Sequence, residues 1–354
     1  MGRLETMLTS LREKDGSDLH ITAGQPPRMR RKGSLTPLDG EAVLDDAAVQ
    51  ALLREITTPE QWHSYQQEHD LDFAYGIPGV ARFRANYFAQ EHGAGAVFRI
   101  IPEEILTLEQ LALPQSIHKF SHLDRGLVLV TGPTGSGKST TLAAIINEIN
   151  ESYAKHVLTI EDPIEFVHPN KQCVFSHREV GIHTGGFAPA LRAALREDAD
   201  VILVGEMRDY DTISLALTAA EMGALVFGTL HTNGAAKTID RVIDAFPADE
   251  QPQARLSLSE SLAGVVSQQL LRTADGKGRC AANEVLIRTS GLANVIREGN
   301  TPMLLNIIQS GKNVGMQTMD DALFVLVQTG TIRPEDAYFK ALDKARFEKF
   351  APAD

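Results

Sequence analysis

Gly132-Pro-Thr-Gly-Ser-Gly-Lys138-Ser139 fills G-x-x-x-x-G-K-S/T at every position, the pattern of a loop that cradles phosphate. The apolar run Leu127-Val-Leu-Val130 precedes it, and Thr140-Thr-Leu-Ala-Ala-Ile-Ile-Asn-Glu-Ile149 follows at helical spacing. The stretch therefore predicts strand, loop and helix in that order, as phosphate binding requires. Gly132, Gly135 and Gly137 let the backbone turn tightly and point N–H groups at phosphate oxygens. A helix starting near Lys138 adds the positive end of its dipole; Lys138 reaches the β- and γ-phosphates, and Ser139 ligates Mg²⁺. Pro133, Thr134, Ser136 and Thr140 complete the expected nucleotide lining. The prediction is a nucleoside triphosphate site.

Working outward, 354 residues suffice for two domains with real cores. A formal net charge of −12 disfavours bulk electrostatic binding to nucleic acid. Cys173 and Cys280 are the only cysteines, too few and too far apart for a disulfide framework or a zinc site, which fits a reducing compartment. No apolar run approaches the roughly 18 residues that span a bilayer, and no signal-peptide pattern opens the sequence. A cytoplasmic protein without a transmembrane segment is expected.

Residues 1–100 read as an α+β domain. Leu4, Met7, Leu8 and Leu11 fall on one face of a helix. Extended runs follow at 19–22, 28–35, 79–87 and 95–101, interrupted by helices near 45–56 and 59–69. Thr58, Pro59 and Gln61 make a strong start for the second of these helices, and Trp62 on it reads as a packing anchor. The basic run Arg28 to Lys32 reads as an exposed strand face. Residues 101–114 read as a linker. From 115 to 354, apolar strands alternating with helices predict a mostly parallel sheet covered on both faces.

Three strands of that second domain end in chemistry. Val157-Leu-Thr-Ile160 leads into Glu161-Asp162-Pro163-Ile164-Glu165, Val201-Ile-Leu-Val204 into Gly205-Glu206, and Ala224-Leu-Val-Phe-Gly-Thr-Leu230 into His231. Ligands of open α/β sheets collect at such strand ends. A carboxylate of the 161–165 cluster can position or deprotonate an attacking water, and Glu206 stands where a Mg²⁺-side acid is expected, although Gly205 occupies the usual aspartate position.

Asp162-Pro-Ile-Glu165, residues 200–209 (Asp-Val-Ile-Leu-Val-Gly-Glu-Met-Arg-Asp) and Thr229-Leu-His-Thr232 resemble the Asp box, Walker B and His box of secretion ATPases. With Gly16-Ser-Asp-Leu-His20, Arg82-Phe-Arg84, Gly93 to Arg99 and Leu191 to Asp198, the chain resembles the PilT-type retraction ATPases of type IV pili from end to end. The resemblance implies a homo-hexameric ring of subunits, each with a PAS-like N-terminal domain and a RecA-like P-loop ATPase domain. Such a ring hydrolyses ATP with Mg²⁺ to depolymerise the pilus and power twitching. It works at the inner face of the cytoplasmic membrane, docked on a platform protein of the pilus machinery. The longer N-terminal region and four-cysteine zinc motif of assembly ATPases are absent from this sequence.

Carried over by position, Glu165 is the general base, with Glu161 second in line. Glu206 acts on the metal side, and His231 senses the γ-phosphate. Arg84 and Arg99 are the N-terminal arginines that meet phosphate, with Arg82, Arg192 and Arg196 as lesser candidates. One position departs: where retraction members carry Ala-Ile-Arg-Asn-Leu-Ile-Arg-Glu, this chain has Gly291-Leu-Ala-Asn-Val-Ile-Arg-Glu298, so Ala293 replaces an arginine. That leaves an accessory retraction paralogue open beside a principal motor. A nucleic-acid translocase and a scaffold that binds ATP without turnover are the other readings; the acidic charge opposes the first, and the Glu165 and Glu206 acids the second.

Overall fold

The computed structural model describes residues 2–31, 33–101 and 104–351. Lys32 of the basic run, and Pro102 and Glu103 of the stretch read as a linker, lie outside them. The chain divides into two compact units, 1–104 with 162–167, and 105–161 with 168–354.

The first unit is built on a six-stranded antiparallel sheet. Its strands are β1 (Asp18–Thr22), β2 (Arg28–Arg31), β3 (Ser34–Pro37), β4 (Asp70–Ile77), β5 (Ala81–Gln90) and β6 (Gly93–Ile101), in the order β3-β2-β1-β6-β5-β4. The helix Arg3–Glu13 buries Leu4, Met7, Leu8 and Leu11, the stripe its spacing predicts. Thr58 Oγ1 accepts from the Gln61 N–H at 3.2 Å while Gln61 Oε1 accepts from the Thr58 N–H at 3.0 Å. This reciprocal cap starts the helix Pro59–Glu68. Trp62 is buried beside Tyr65, ring centroids 5.4 Å apart.

Two sequence expectations change here. Residues 28–35 are not one run but two paired strands, with Arg28 opposite Pro37. Gly33, at φ +87°, supplies the left-handed residue of the turn between them. β4 was not foreseen, because Asp70 and Asp72 interrupt its apolar signal; pairing along the whole of β5 holds it in place.

The second unit carries a seven-stranded sheet of β7 (Gly126–Thr131), β8 (His156–Glu161), β9 (Val174–Glu179), β10 (Val201–Val204), β11 (Leu225–Leu230), β12 (Leu262–Arg272) and β13 (Arg279–Ile287). The order is β13-β12-β7-β11-β10-β8-β9, parallel except for the β12–β13 pair. Every residue of β7 is buried. Because successive side chains leave a strand on opposite faces, Leu127 and Leu129 enter one core with Ile202, Ile213 and Ile239. Val128 and Val130 enter the other with Leu142, Ile145 and Ile149 of the helix Lys138–Ser152.

The alternation of strand and helix does not run to the end of the chain. β12 turns back into β13 through Thr273–Gly278, where Gly276 has φ +70°. Among the described residues only helices follow β13. No helix among the described residues is long and apolar enough to cross a membrane.

Candidate active site

The parallel strands β7, β11, β10 and β8 are neighbours in that order, so their C-terminal ends share one edge of the sheet. The phosphate loop leaves β7, His231 follows β11, Gly205 and Glu206 follow β10, and Glu161 closes β8. Strands stand about 4.8 Å apart, so His231, Glu206 and Glu161 follow the loop along that edge, one strand further away at each step.

The loop has the shape its glycines predict. Gly132, Gly135 and Gly137 all have positive φ, at +144°, +76° and +86°. Ser136 and Lys138 are buried, Ser139 and Thr140 half-buried, and Pro133, Thr134 and Gly135 exposed. Lys138 Nζ donates to Gly132 O at 2.9 Å and Pro133 O at 3.1 Å, which holds the ammonium over the loop.

Glu206 binds two partners at once. Its Oε1 lies 3.1 Å from His231 Nε2, and its Oε2 accepts from Arg208 Nη2 at 2.6 Å. Burial is the largest influence on this carboxyl and resists its ionisation. The hydrogen bond and charge of Arg208, with the charges of His231 and Lys138, outweigh that burial and hold the pKa below the ordinary carboxylate range. An ionised acid is therefore fixed next to the phosphate-binding lysine and tied to the histidine one strand away. Ser139 and Glu206 would offer Mg²⁺ a hydroxyl and a charged carboxylate, the oxygen donors that ion prefers.

Gly205 explains its own departure from aspartate. A Cβ there would stand 3.2 Å from Ile160 O and 3.3 Å from Glu161 Cα, so a side chain would fit only if the end of β8 gave way by a few tenths of an ångström. Gly205 N instead donates to Ile160 O at 2.8 Å, and the Thr229 hydroxyl donates to Gly205 O. Glu161 is buried at the end of β8. Arg192 and Arg196 are exposed at the helix Phe187–Ala194 and just beyond it.

The remaining candidates belong to the first unit, with which residues 162–167 cluster. Glu165 is half-buried. Arg84 Nε donates to Asp72 Oδ1 and Oδ2 at 3.1 and 3.2 Å. That hydrogen bond, opposed by burial and reinforced by the charges of Asp72, Glu165 and Asp162, raises the pKa of Arg84. Arg84 thus lies in the field of the Asp box carboxylates. Arg99 Nε donates to the buried Asp18 Oδ1 at 2.7 Å while most of the arginine side chain stays exposed. Arg82 is half-buried on β5. Sequence reasoning missed Arg208: it stands inside the 200–209 stretch, but no spacing rule marks it as the partner of Glu206.

The family described as type II/IV secretion system protein matches residues 4–315. The type IV pilus retraction ATPase PilT of Pseudomonas aeruginosa is 52% identical over 95% of this chain and 97% of its own length. The type IV pilus ATPase PilU of the same organism is 40% identical, over 94% of this chain and 87% of its own. A crystal structure of the pilus retraction motor PilT with bound ADP superposes with a TM-score of 0.91 at 43% identity, covering 99% of both chains.

Proposed function

This chain belongs to the type II/IV secretion protein family, and on that premise we propose that it is the ATPase motor that retracts type IV pili. Identity of 52% with the retraction ATPase against 40% with PilU supports the principal motor over an accessory one. The observation that carries the chemistry is the ionised Glu206, held between Arg208 and His231 in the field of Lys138.

The reaction is transfer of the γ-phosphoryl group of ATP to water, giving ADP and phosphate. Backbone N–H groups of the loop and Lys138 bind the β- and γ-phosphates. Ser139 and Glu206 would hold Mg²⁺, which would supply positive charge to offset that of the phosphates. Glu165 takes the proton of the attacking water, with Glu161 as the alternative base. Arg84 and Arg99 supply positive charge to the transferring group, where preorganised cations lower the barrier most. His231, already on Glu206, relays the state of the γ-phosphate. Six copies form a ring at the cytoplasmic face of the inner membrane, and its platform protein receives the motion.

The accessory reading rests on Ala293. It is half-buried on the helix Ser290–Glu298, beside the core residues Leu292, Val295 and Ile296, so replacing arginine there leaves the fold intact and removes one surface charge available for coupling.

Phosphate release and nucleotide binding by Glu165→Gln and Lys138→Ala test the chemical assignment. Glu165→Gln removes the proton acceptor and leaves the loop, so hydrolysis should vanish while ATP still binds; Lys138→Ala should weaken binding itself. Turnover by Glu165→Gln at the wild-type rate moves the base to Glu161.

A further inference from the structure

The phosphate loop has a second wall that no motif marks. β12 runs parallel to β7 with Ser267 opposite Thr131, so Gln268 comes level with Gly132. The approach is so close that a Cβ on Gly132 would stand 2.2 Å from Gln268 O, and one on Gly137 2.8 Å from Gln268 Nε2. Gln268 is 2% exposed, and a buried carboxamide is costly unless its polar atoms are bonded.

Its bonds all lead to or from the site. Nε2 donates to Ser136 O at 2.6 Å. Oε1 accepts from Thr141 Oγ1 at 2.8 Å, in the first turn of the helix that follows the loop, and from Asn283 Nδ2 at 2.9 Å on β13. A carbonyl can only accept, which fixes the amide end of Gln268 toward Ser136. The backbone of Asn283 is held in turn, since Gln317 Nε2 donates to its main-chain carbonyl at 2.7 Å.

The consequence follows from peptide geometry. In a planar trans peptide the C=O and N–H point in opposite directions. Tying Ser136 C=O to β12 therefore aims the Gly137 N–H away from β12. Gly137 sits at φ +86°, and glycine has little intrinsic resistance to rotation of that peptide. A rotated peptide would offer phosphate a carbonyl oxygen instead of an N–H.

We propose that Gln268 is a positioning residue for nucleotide: it holds the Ser136–Gly137 peptide in the phosphate-receiving orientation before nucleotide arrives. This rests on the ATPase reading above. The interaction acts on the empty loop, so its loss weakens ATP and ADP alike and leaves turnover of bound ATP nearly unchanged.

Gln268→Met keeps length and volume without the polar ends. In the purified full chain with Mg²⁺, ATP and ADP dissociation constants should both rise about tenfold or more, the scale of a buried carbonyl left unbonded. kcat at saturating ATP should stay within about threefold, so the loss falls on KM. Val266→Ala is the control: Val266 is fully buried on the same strand, and its truncation should lower the unfolding midpoint without weakening nucleotide. Should Gln268→Met fail to fold, Thr141→Val removes one bond to the same carboxamide and should weaken both nucleotides about threefold. ATP binding by the folded Gln268→Met or Thr141→Val protein at wild-type strength overturns the proposal. So does an equal loss of affinity in Val266→Ala. A wild-type chain that binds neither nucleotide overturns the ATPase reading instead.

Discussion

Replacing Gly132 by alanine puts a methyl group where the structure has no room for one. Its Cβ would stand 2.2 Å from Gln268 O and 2.7 Å from Ser136 Oγ, and the first of these is backbone that cannot rotate away. Cβ contacts below 3.0 Å essentially do not occur, so the loop or β12 must retreat by at least about 0.8 Å, at a φ of +144° that alanine also resists. A misplacement near 1 Å costs on the order of 10²-fold in rate, or about 2.7 kcal/mol of barrier. Gly132→Ala should therefore lower kcat/KM for ATP about a hundredfold, read as phosphate release across an ATP titration. Gly135→Ala separates space from backbone strain. Its φ is also positive, at +76°, but nothing lies within 4 Å of its Cβ, so it should cost about 1–2 kcal/mol of stability and no more than about tenfold in kcat/KM. A Gly132→Ala enzyme within about threefold of wild type would refute the reasoning, because the steric argument leaves no way to accommodate the methyl without moving the loop.

His168 should make the second unit acid-sensitive. Burial, then the charges of His177 and Lys171, push its pKa down to about 3, while the unfolded chain protonates it near 6.5. The unfolded state thus holds the extra proton between those values, and stability is lost as pH falls from 6.5, with a slope of at most about 1.4 kcal/mol per pH unit. His168→Phe keeps the stack on Phe175, now 5.0 Å between centroids, and should flatten denaturant-measured stability between pH 6.5 and 4; an unchanged profile would remove His168 as the cause. Light scattering of the purified chain with ATP and Mg²⁺ should give hexamers; monomers in every nucleotide state at micromolar concentration would count against a ring.

What could be read from the residues follows how local each signal is. β7, the phosphate loop and the helix behind it are contiguous, and their pattern of apolar run, glycines and helical spacing survives intact in the fold. The stripe Leu4, Met7, Leu8, Leu11 and the Thr58–Gln61 cap are equally local and form as expected. β4 escaped because its polar residues carry no strand signal until β5 pairs with them. Arg208 and Gln268 escaped for a related reason. A salt bridge to Glu206 depends on how the chain leaves β10, and Gln268 meets the loop only because β12 lands beside β7 from 132 residues further along. The membership of 162–167 in the first unit is likewise a tertiary fact, since the Asp box follows directly on β8 of the second.

Retraction of single surface pili in cells that lack this chain tests the motor assignment most directly. On the retraction reading, cells without this motor should carry abundant pili that extend and do not withdraw, and twitching should stop. Supplying the wild-type chain should restore withdrawal, and supplying Glu165→Gln should not. A deletion strain with no surface pili would contradict retraction outright and move this protein to the assembly side.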